Sequence, residues 1–151
     1  MTQGQDLPKI LYSMERGLST MNPKIGTRRT VTLAWQRYLP FSLANVQAYA
    51  PVQSGVYKIA LELISGKKRV VYVGQANDLD ARLKEHLSEW ESNLDLYNLV
   101  RQYQCSFALA TLPVPADRDS AERALYLYFR PCCNTQEPTG PAYLVTPLTS
   151  A

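Results

Sequence analysis

Arg82 and His86 stand four residues apart in a segment with helical periodicity, so their side chains share one helix face. The planar fork of an arginine binds phosphate oxygens and stabilises charge that develops on them. His86 is the only histidine of the chain, and imidazole is the side chain best suited to moving a proton near neutral pH. The pair is suited to chemistry on a phosphate group. A solvated helix face with a half-buried histidine is the alternative.

Tyr57 and Tyr72 are two further candidates, placed on the two arms of a predicted hairpin. Their odd separation puts both on one face of the sheet whenever the connecting loop has an even length, provided that no bulge intervenes. Both phenols are then expected to face one cleft. Tyrosines in strands are also common packing residues, so the pattern alone leaves a structural role open.

Glu122 supplies a carboxylate near the start of a predicted helix, where the helix dipole favours negative charge. One carboxylate, completed by waters and substrate oxygens, is an ordinary coordination set for Mg²⁺. Asn134 follows that helix and can donate or accept a hydrogen bond in the same cleft. A zinc site built from His86 and the cysteines is rejected because their spacing fits no structural zinc pattern.

The elements that must position these side chains can be predicted from periodicity and turn residues. A short extended piece interrupted by Pro40 precedes a helix over 42–49 that Ser42 caps. Strands follow at 55–63, 69–74 and 105–112, and helices at about 78–90, about 94–103, and from Asp119 or Ser120 to just before Pro131. The sequence predicts an α+β domain whose small antiparallel β-sheet, of about three strands, is flanked by helices.

Composition places the chain among soluble globular proteins. It has 151 residues, of which 46% are hydrophobic and 19% charged. No apolar run approaches the roughly 18 residues that a membrane span needs, so we expect no membrane partner. Three cysteines, two of them adjacent, favour reduced thiols and a cytoplasmic location.

Basic residues are the natural contacts for nucleic acid. The net charge of +3 is compatible with such a partner and does not by itself establish one. A basic turn is often only a solvated loop. The residues that we expect to contact nucleic acid are Gly74, Lys58, Lys84, Lys67, Lys68 and Arg69.

Taken together, these residues resemble the motifs of the GIY-YIG endonuclease superfamily over roughly 54–134. The two family tripeptides stand here as Gly55-Val56-Tyr57 and Tyr72-Val73-Gly74. The single residues that match the later positions of the pattern are Arg82, His86, Glu122 and Asn134. The segment around the second tripeptide looks most like phage intron homing endonucleases, and the nuclease domain of the bacterial excision-repair incision subunit is similar too.

The resemblance implies a divalent-metal-dependent endonuclease that hydrolyses phosphodiester bonds in nucleic acid, with DNA favoured. It implies that Glu122 holds one Mg²⁺ or Mn²⁺, that Arg82 clamps the phosphate and that Asn134 orients a side chain or a phosphate oxygen. Tyr72 or Tyr57 then positions or deprotonates the attacking water. Because a phenol with a pKa of about 10 is a poor base at pH 7, the metal, His86 or Arg82 must assist.

Two departures from the family pattern matter. Both tripeptides carry valine where the family has isoleucine, which is a conservative exchange between strand formers. Many members have a lysine directly after the second tripeptide, and this chain has Gln75. The missing lysine removes one phosphate contact, which Lys58 or Lys84 would have to replace.

The predicted organisation has three parts. Residues 1–53 form an N-terminal extension, partly mobile, which would be the source of any target preference; 54–134 form the nuclease domain; and 135–151 form a C-terminal tail. Two alternatives share these residues, namely an RNA-directed nuclease and a catalytically inactive module that binds nucleic acid or protein on the same fold. The sequence does not determine the oligomeric state.

Overall fold

The structure is a computed structural model that describes residues 29–150. The helices are α1 (Leu43–Tyr49), α2 (Leu79–Leu87), α3 (Leu94–Gln102) and α4 (Pro115–Phe129). The strands are β1 (Thr30–Thr32), β2 (Leu39–Pro40), β3 (Gly55–Glu62), β4 (Lys68–Ala76), β5 (Cys105–Thr111) and β6 (Leu144–Thr146). Residues 1–28, which belong to the predicted N-terminal extension, lie outside the described residues. No helix among residues 29–150 is long and apolar enough to cross a bilayer.

The main sheet is antiparallel and has the strand order β2-β5-β3-β4. Its central strand β3 pairs with β4 on one side and with β5 on the other, while β4 forms an edge. The predicted α+β class and the predicted antiparallel sheet with flanking helices are confirmed. The sheet has four strands rather than about three, because the short extended piece around Pro40 pairs with β5. Pro40 is tolerated there because β2 is an edge strand.

The β3–β4 hairpin sets the relation between the two motif tyrosines. Tyr57 pairs with Gly74, and Ile59 pairs with Tyr72. A bulge interrupts the register between Ile59 and Ala60, on the turn side of both tyrosines. Because the ladder between Tyr57 and Tyr72 is regular, the phenols share one face, as their spacing predicts.

Each face of the sheet is covered by a separate hydrophobic cluster. The face that carries Tyr57 packs against α1, α2 and α3 through Val46, Leu79, Leu83 and Leu96. The opposite face packs against α4 and the small β1–β6 sheet through Ala121, Leu125, Val31 and Val145. The edge strand β4 thus has α2 on one side and α4 on the other, and both helices carry candidate site residues.

Local signals explain most of the helix boundaries. Ser42 caps α1 by accepting a hydrogen bond from the backbone of Asn45, as predicted. Asp78 caps α2 by accepting a hydrogen bond from the backbone of Ala81. Helix α2 ends at Leu87, slightly before the predicted end.

The predicted start of α4 is wrong. The helix begins at Pro115, between the predicted third strand and the predicted helix start, and not at Asp119 or Ser120. A proline is favoured in the first turn because its missing N–H has no helical partner there. Ser120 is buried and accepts a hydrogen bond from the backbone of Tyr143 instead of capping the helix. Residues 144–146, predicted as tail, form β6.

Candidate active site

The centre of the site is a cluster of three aromatic side chains, Tyr57, Tyr72 and His86. The rings of Tyr57 and Tyr72 are stacked with centroids 6.2 Å apart. The ring of His86 meets that of Tyr72 edge-on, at a centroid distance of 5.0 Å. Tyr57 and His86 are completely buried, whereas Tyr72 is partly exposed. Solvent therefore reaches the cluster from the side of Tyr72.

The glycine of the second tripeptide makes room for the first tyrosine. A Cβ atom placed on Gly74 would lie 2.5 Å from the hydroxyl oxygen of Tyr57. Gly55 is equally restricted, because a Cβ there would lie 2.3 Å from the carbonyl oxygen of Ala110. Gly74 thus makes room for the Tyr57 phenol, and Gly55 allows β3 to approach β5 closely.

A chain of hydrogen bonds leads away from Tyr57. Its hydroxyl lies 2.7 Å from Nε2 of His86. The other ring nitrogen of His86, Nδ1, is bonded to the carboxylate of Glu91, which is also buried. Glu91 lies in the turn between α2 and α3 and is not among the site residues predicted from the sequence.

Arg82 lies one helical turn before His86 and is partly exposed. Its guanidinium interacts with both phenols, and it also forms an ion pair with Glu85. Part of its donor fork therefore faces the cluster at the boundary with solvent.

Protonation states follow from burial. Burial raises the pKa of Tyr57 well above its ordinary value, Tyr72 adds to the rise and Arg82 opposes it. Burial likewise raises the pKa of Tyr72. Burial lowers the pKa of His86, although the hydrogen bond to Glu91 acts in the opposite direction. At neutral pH the phenols therefore keep their protons and the imidazole is neutral, with a lone pair available as a base.

Glu122 reaches the same region from α4. It lies in the middle of that helix, so the dipole argument based on a helix start does not apply. The side-chain amide of Gln75 donates to Glu122 at 3.0 Å and to Asp119 at 2.7 Å. Burial raises the pKa of Glu122, the neighbouring Asp119 adds to the rise, and Gln75 and Arg82 oppose it.

Asn134 is engaged with the backbone of β4. Its side-chain oxygen accepts from the N–H of Val73 at 3.0 Å, and its amide nitrogen donates to the carbonyl of Val73 at 2.9 Å. The backbone N–H of Cys133 adds a bond of 2.9 Å to the carbonyl of Val71. Asn134 thus fastens the chain after α4 to the edge strand that carries Tyr72, and both of its polar atoms have partners.

Replacing Asn134 by Ala is expected to lower the free energy of unfolding by ~2 kcal/mol or more, because two hydrogen bonds are lost and two backbone groups of Val73 lose their partners. Denaturant unfolding measures the change, with Asn98→Ala on the exposed face of α3 as the control. Unfolding at the same denaturant concentration as the parent would contradict a structural role for Asn134.

Lys58, one of the predicted contacts with nucleic acid, is turned away from the aromatic cluster. Lys58 lies on the opposite face of the sheet, fully buried, with Nζ 4.0 Å from the ring centroid of Trp35. It donates to the carbonyl of Leu148 and to the hydroxyl of Ser150, and burial lowers its pKa to about 8. Lys58 therefore cannot reach a phosphate bound beside Tyr72.

The other residues predicted to contact nucleic acid are Lys84, the basic turn and Gly74, and they do not form one continuous basic surface. Lys84 is on α2 and forms an ion pair with Asp80 at 3.0 Å. The exposed basic turn, Lys67 to Arg69, ends five residues before Gly74, which corresponds to ~17 Å along a strand. Gly74 itself is buried and lies against the Tyr57 phenol. A nucleic acid would need to extend along β4 to contact both the cluster and the basic turn.

Three residues of the site were missed from the sequence as functional groups. Asp119 lies three residues before Glu122 and so on the same helix face, but a predicted helix start at Asp119 or Ser120 makes it a candidate cap. Gln75 was noted only as a departure from a pattern. No local signal distinguishes Glu91 from the exposed Glu89 of the same turn, because the contact with His86 depends on the path of the chain after α2.

Of the known proteins compared with the chain, solved structures give matches. No protein-family model matches the chain, and no curated protein sequence matches it. Among solved structures, the chain is similar to the GIY-YIG N-terminal endonuclease domain of UvrC from Thermotoga maritima. A point mutant of that domain bound to its catalytic divalent cation has a TM-score of 0.49 and 18% identity, and the match covers 62% of this chain and 96% of that chain. The magnesium-bound form gives a TM-score of 0.48 and 18% identity over the same shares.

Proposed function

We propose that this chain is a divalent-metal-dependent endonuclease of the GIY-YIG type that hydrolyses phosphodiester bonds in nucleic acid, with DNA as the favoured substrate. The observation that carries the proposal is the hydrogen bond of 2.7 Å between the Tyr57 hydroxyl and His86. It pairs a buried phenol with a neutral base, next to the partly exposed Arg82. Packing alone does not require this combination of groups.

The acidic side chains suit a divalent cation. The carboxylates of Glu122 and Asp119 share one donor, the neutral amide of Gln75. Because the two carboxylates repel each other, a cation bound beside them would be stabilised. Among residues 29–150, no three His, Cys, Asp or Glu side chains form a ligand group, so waters and substrate oxygens must complete the coordination. Glu122 would hold the ion, with Asp119 beside it. A Mg²⁺ or Mn²⁺ ion held there would neutralise charge on the phosphate and on the leaving oxygen.

Tyr57 and His86 form the base in this mechanism. As water attacks phosphorus, the Tyr57 oxygen takes a proton from the water and passes its own proton to Nε2 of His86. Tyr57 is covered in the substrate-free chain, so the water must enter between Tyr72 and Arg82, which are both partly exposed. Tyr72 holds that water in place.

Arg82 clamps the phosphate. Its guanidinium already neighbours both phenols, so a phosphate oxygen bound to it lies close to the attacking water. The positive charge also stabilises the negative charge that develops on the phosphate oxygens in the transition state.

Arg82→Lys is expected to lower the single-turnover rate by ~10-fold or more, because lysine keeps the charge and loses the planar fork. The matched control is Arg37→Lys, an exposed arginine remote from the site residues in sequence. A lysine variant that turns over like the parent would make Arg82 a surface charge without a catalytic role.

The experiment that tests the function is a panel of labelled single-stranded, double-stranded and branched DNA and RNA, incubated with Mg²⁺, Mn²⁺ or EDTA. The proposal predicts internal cleavage of at least one substrate with either metal and none with EDTA. Cleavage of RNA alone would move the assignment to an RNA-directed nuclease. Binding without cleavage of any member of the panel would favour the inactive binding module and overturn the proposal.

A further inference from the structure

Glu91 is a buried carboxylate to which neither the sequence pattern nor the mechanism above assigns a role. Only 3% of its side chain is exposed. One carboxylate oxygen is bonded to Nδ1 of His86, and the other accepts from the backbone N–H of Asn93 at 2.9 Å. Each oxygen of the carboxylate thus has its own partner.

The turn between α2 and α3 holds Glu91 in place. The backbone of Ser88 closes the end of α2 by donating to Glu85, and the backbone of Glu91 donates to Ser88 at 3.4 Å. Asn93 then caps α3 by accepting from Leu96, and its amide donates to the carbonyl of Cys133. The carboxylate is therefore fixed by the same residues that start the next helix.

The bonding pattern determines which nitrogen of His86 carries the proton. An ionised carboxylate only accepts hydrogen bonds, so Nδ1 must be the donor to Glu91. In a neutral ring Nε2 then has the free lone pair, and the Tyr57 hydroxyl must be the donor to it. The direction of the whole chain, from Tyr57 towards Glu91, follows from the carboxylate at its end.

We propose that Glu91 is a positioning residue of the reaction: it fixes His86 in the Nδ1–H tautomer, so that Nε2 accepts the Tyr57 proton, and it stabilises the imidazolium that results. The inference rests on the proposed nuclease function. The step balances. The water loses one proton to the Tyr57 oxygen, Tyr57 loses one to Nε2, and the resulting hydroxide forms the new bond to phosphorus while the bond from phosphorus to the leaving oxygen breaks. The leaving oxygen takes a proton from solvent. Nδ1–H stays bonded to Glu91 throughout.

Charges around His86 explain why a carboxylate is needed. The ionisable groups that face the ring are Tyr57 on β3, Tyr72 on β4, Arg82 and Glu85 on α2, and Glu91. Arg82 opposes a positive charge on the imidazole, and Glu85 is exposed and paired with Arg82. Glu91 is thus the buried anion that directly contacts the ring.

Glu91→Gln inverts the tautomer without a large change in shape. The backbone N–H of Asn93 needs an acceptor, so the glutamine oxygen takes that position and its NH₂ group faces Nδ1. An NH₂ donor requires Nδ1 to be the acceptor, which moves the ring proton to Nε2. His86 then donates to Tyr57 and cannot accept its proton.

The tautomer can be read directly, because His86 is the only histidine in the chain. Nitrogen-15 NMR of the full chain labelled at histidine is expected to show a protonated Nδ1 and an unprotonated Nε2 in the parent at neutral pH, and the reverse in Glu91→Gln. Tyr57→Phe removes the donor to Nε2, so the Nε2 signal should move towards that of an unbonded nitrogen.

Cleavage by Glu91→Gln should fall by ~10²-fold or more, as expected when a base is held in the wrong tautomer, with nucleic-acid binding unchanged. Glu91→Asp, which keeps an acceptor, should retain the tautomer and more of the activity than Glu91→Gln. The control Glu89→Gln, on an exposed position of the same turn, should cleave like the parent.

An Nε2–H tautomer or an imidazolium in the parent at neutral pH would overturn the role of Glu91, even if Glu91→Gln failed to fold. An inverted tautomer with parental cleavage would overturn it as well, and so would lost cleavage with an unchanged tautomer. A parent with the expected tautomer that cleaves nothing would instead reject the proposed function, and with it the catalytic meaning of the tautomer.

Discussion

Glu122→Gln is expected to lower single-turnover cleavage by at least ~10²-fold at saturating Mg²⁺. The substitution keeps the size of the side chain and an acceptor for the Gln75 amide, so the fold and the binding of nucleic acid should survive. The substitution removes the negative charge that would hold the cation. Because a bound metal would supply several kcal/mol of charge stabilisation in the transition state, its loss accounts for a ~10²-fold lower rate.

A metal titration measures this effect. The parent should need millimolar Mg²⁺ or Mn²⁺, because one or two carboxylates with waters form a weak site. Glu122→Gln should need far more metal or remain inactive, whereas Glu137→Gln, at an exposed position, should behave like the parent. Full activity of the parent in EDTA would reject the metal-dependent mechanism.

Tyr57→Phe is expected to slow cleavage by ~10²–10⁴-fold, the usual contribution of a positioned proton-transfer group. The variant loses one oxygen and keeps the ring that stacks on Tyr72. It also leaves Nε2 of His86 without its partner, so the free energy of unfolding should fall by about 1–3 kcal/mol.

Tyr72→Phe is the informative companion to Tyr57→Phe, because it removes the phenol that solvent reaches and leaves the Tyr57–His86 bond intact. Loss of cleavage in Tyr72→Phe with parental cleavage in Tyr57→Phe would place the attacking water on Tyr72 and reduce the buried pair to a structural role. Parental cleavage in both variants would remove tyrosine from the mechanism.

Local patterns were sufficient to predict the hairpin and its tyrosines. Residue spacing places two side chains on one face of a sheet whenever the ladder between them is regular, and the bulge falls outside the stretch between Tyr57 and Tyr72. The same alternation predicts that Lys58, next to Tyr57 in the strand, faces the other side. The prediction of Lys58 as a phosphate contact conflicts with this alternation, and the structure places Lys58 against Trp35 on the opposite face.

Contacts between distant segments were not predictable from sequence. Asn134 matches a family motif, yet its partner is the backbone of Val73, 61 residues earlier. The role of Glu91 depends on how the chain turns after α2, for which the sequence offers two similar acids. Asp119 is an intermediate case, because its relation to Glu122 follows from helical spacing once α4 is known to start at Pro115.

The most direct test of the proposed nuclease is one paired measurement on a single labelled nucleic acid. A binding titration and a single-turnover cleavage assay are run for the parent with Mg²⁺, the parent with EDTA, and Tyr57→Phe with Mg²⁺. We expect similar binding by parent and variant, cleavage by the parent only when metal is present, and cleavage by Tyr57→Phe that is ~10²–10⁴-fold slower. Cleavage by the parent in EDTA, or cleavage by Tyr57→Phe at the parental rate, would contradict it.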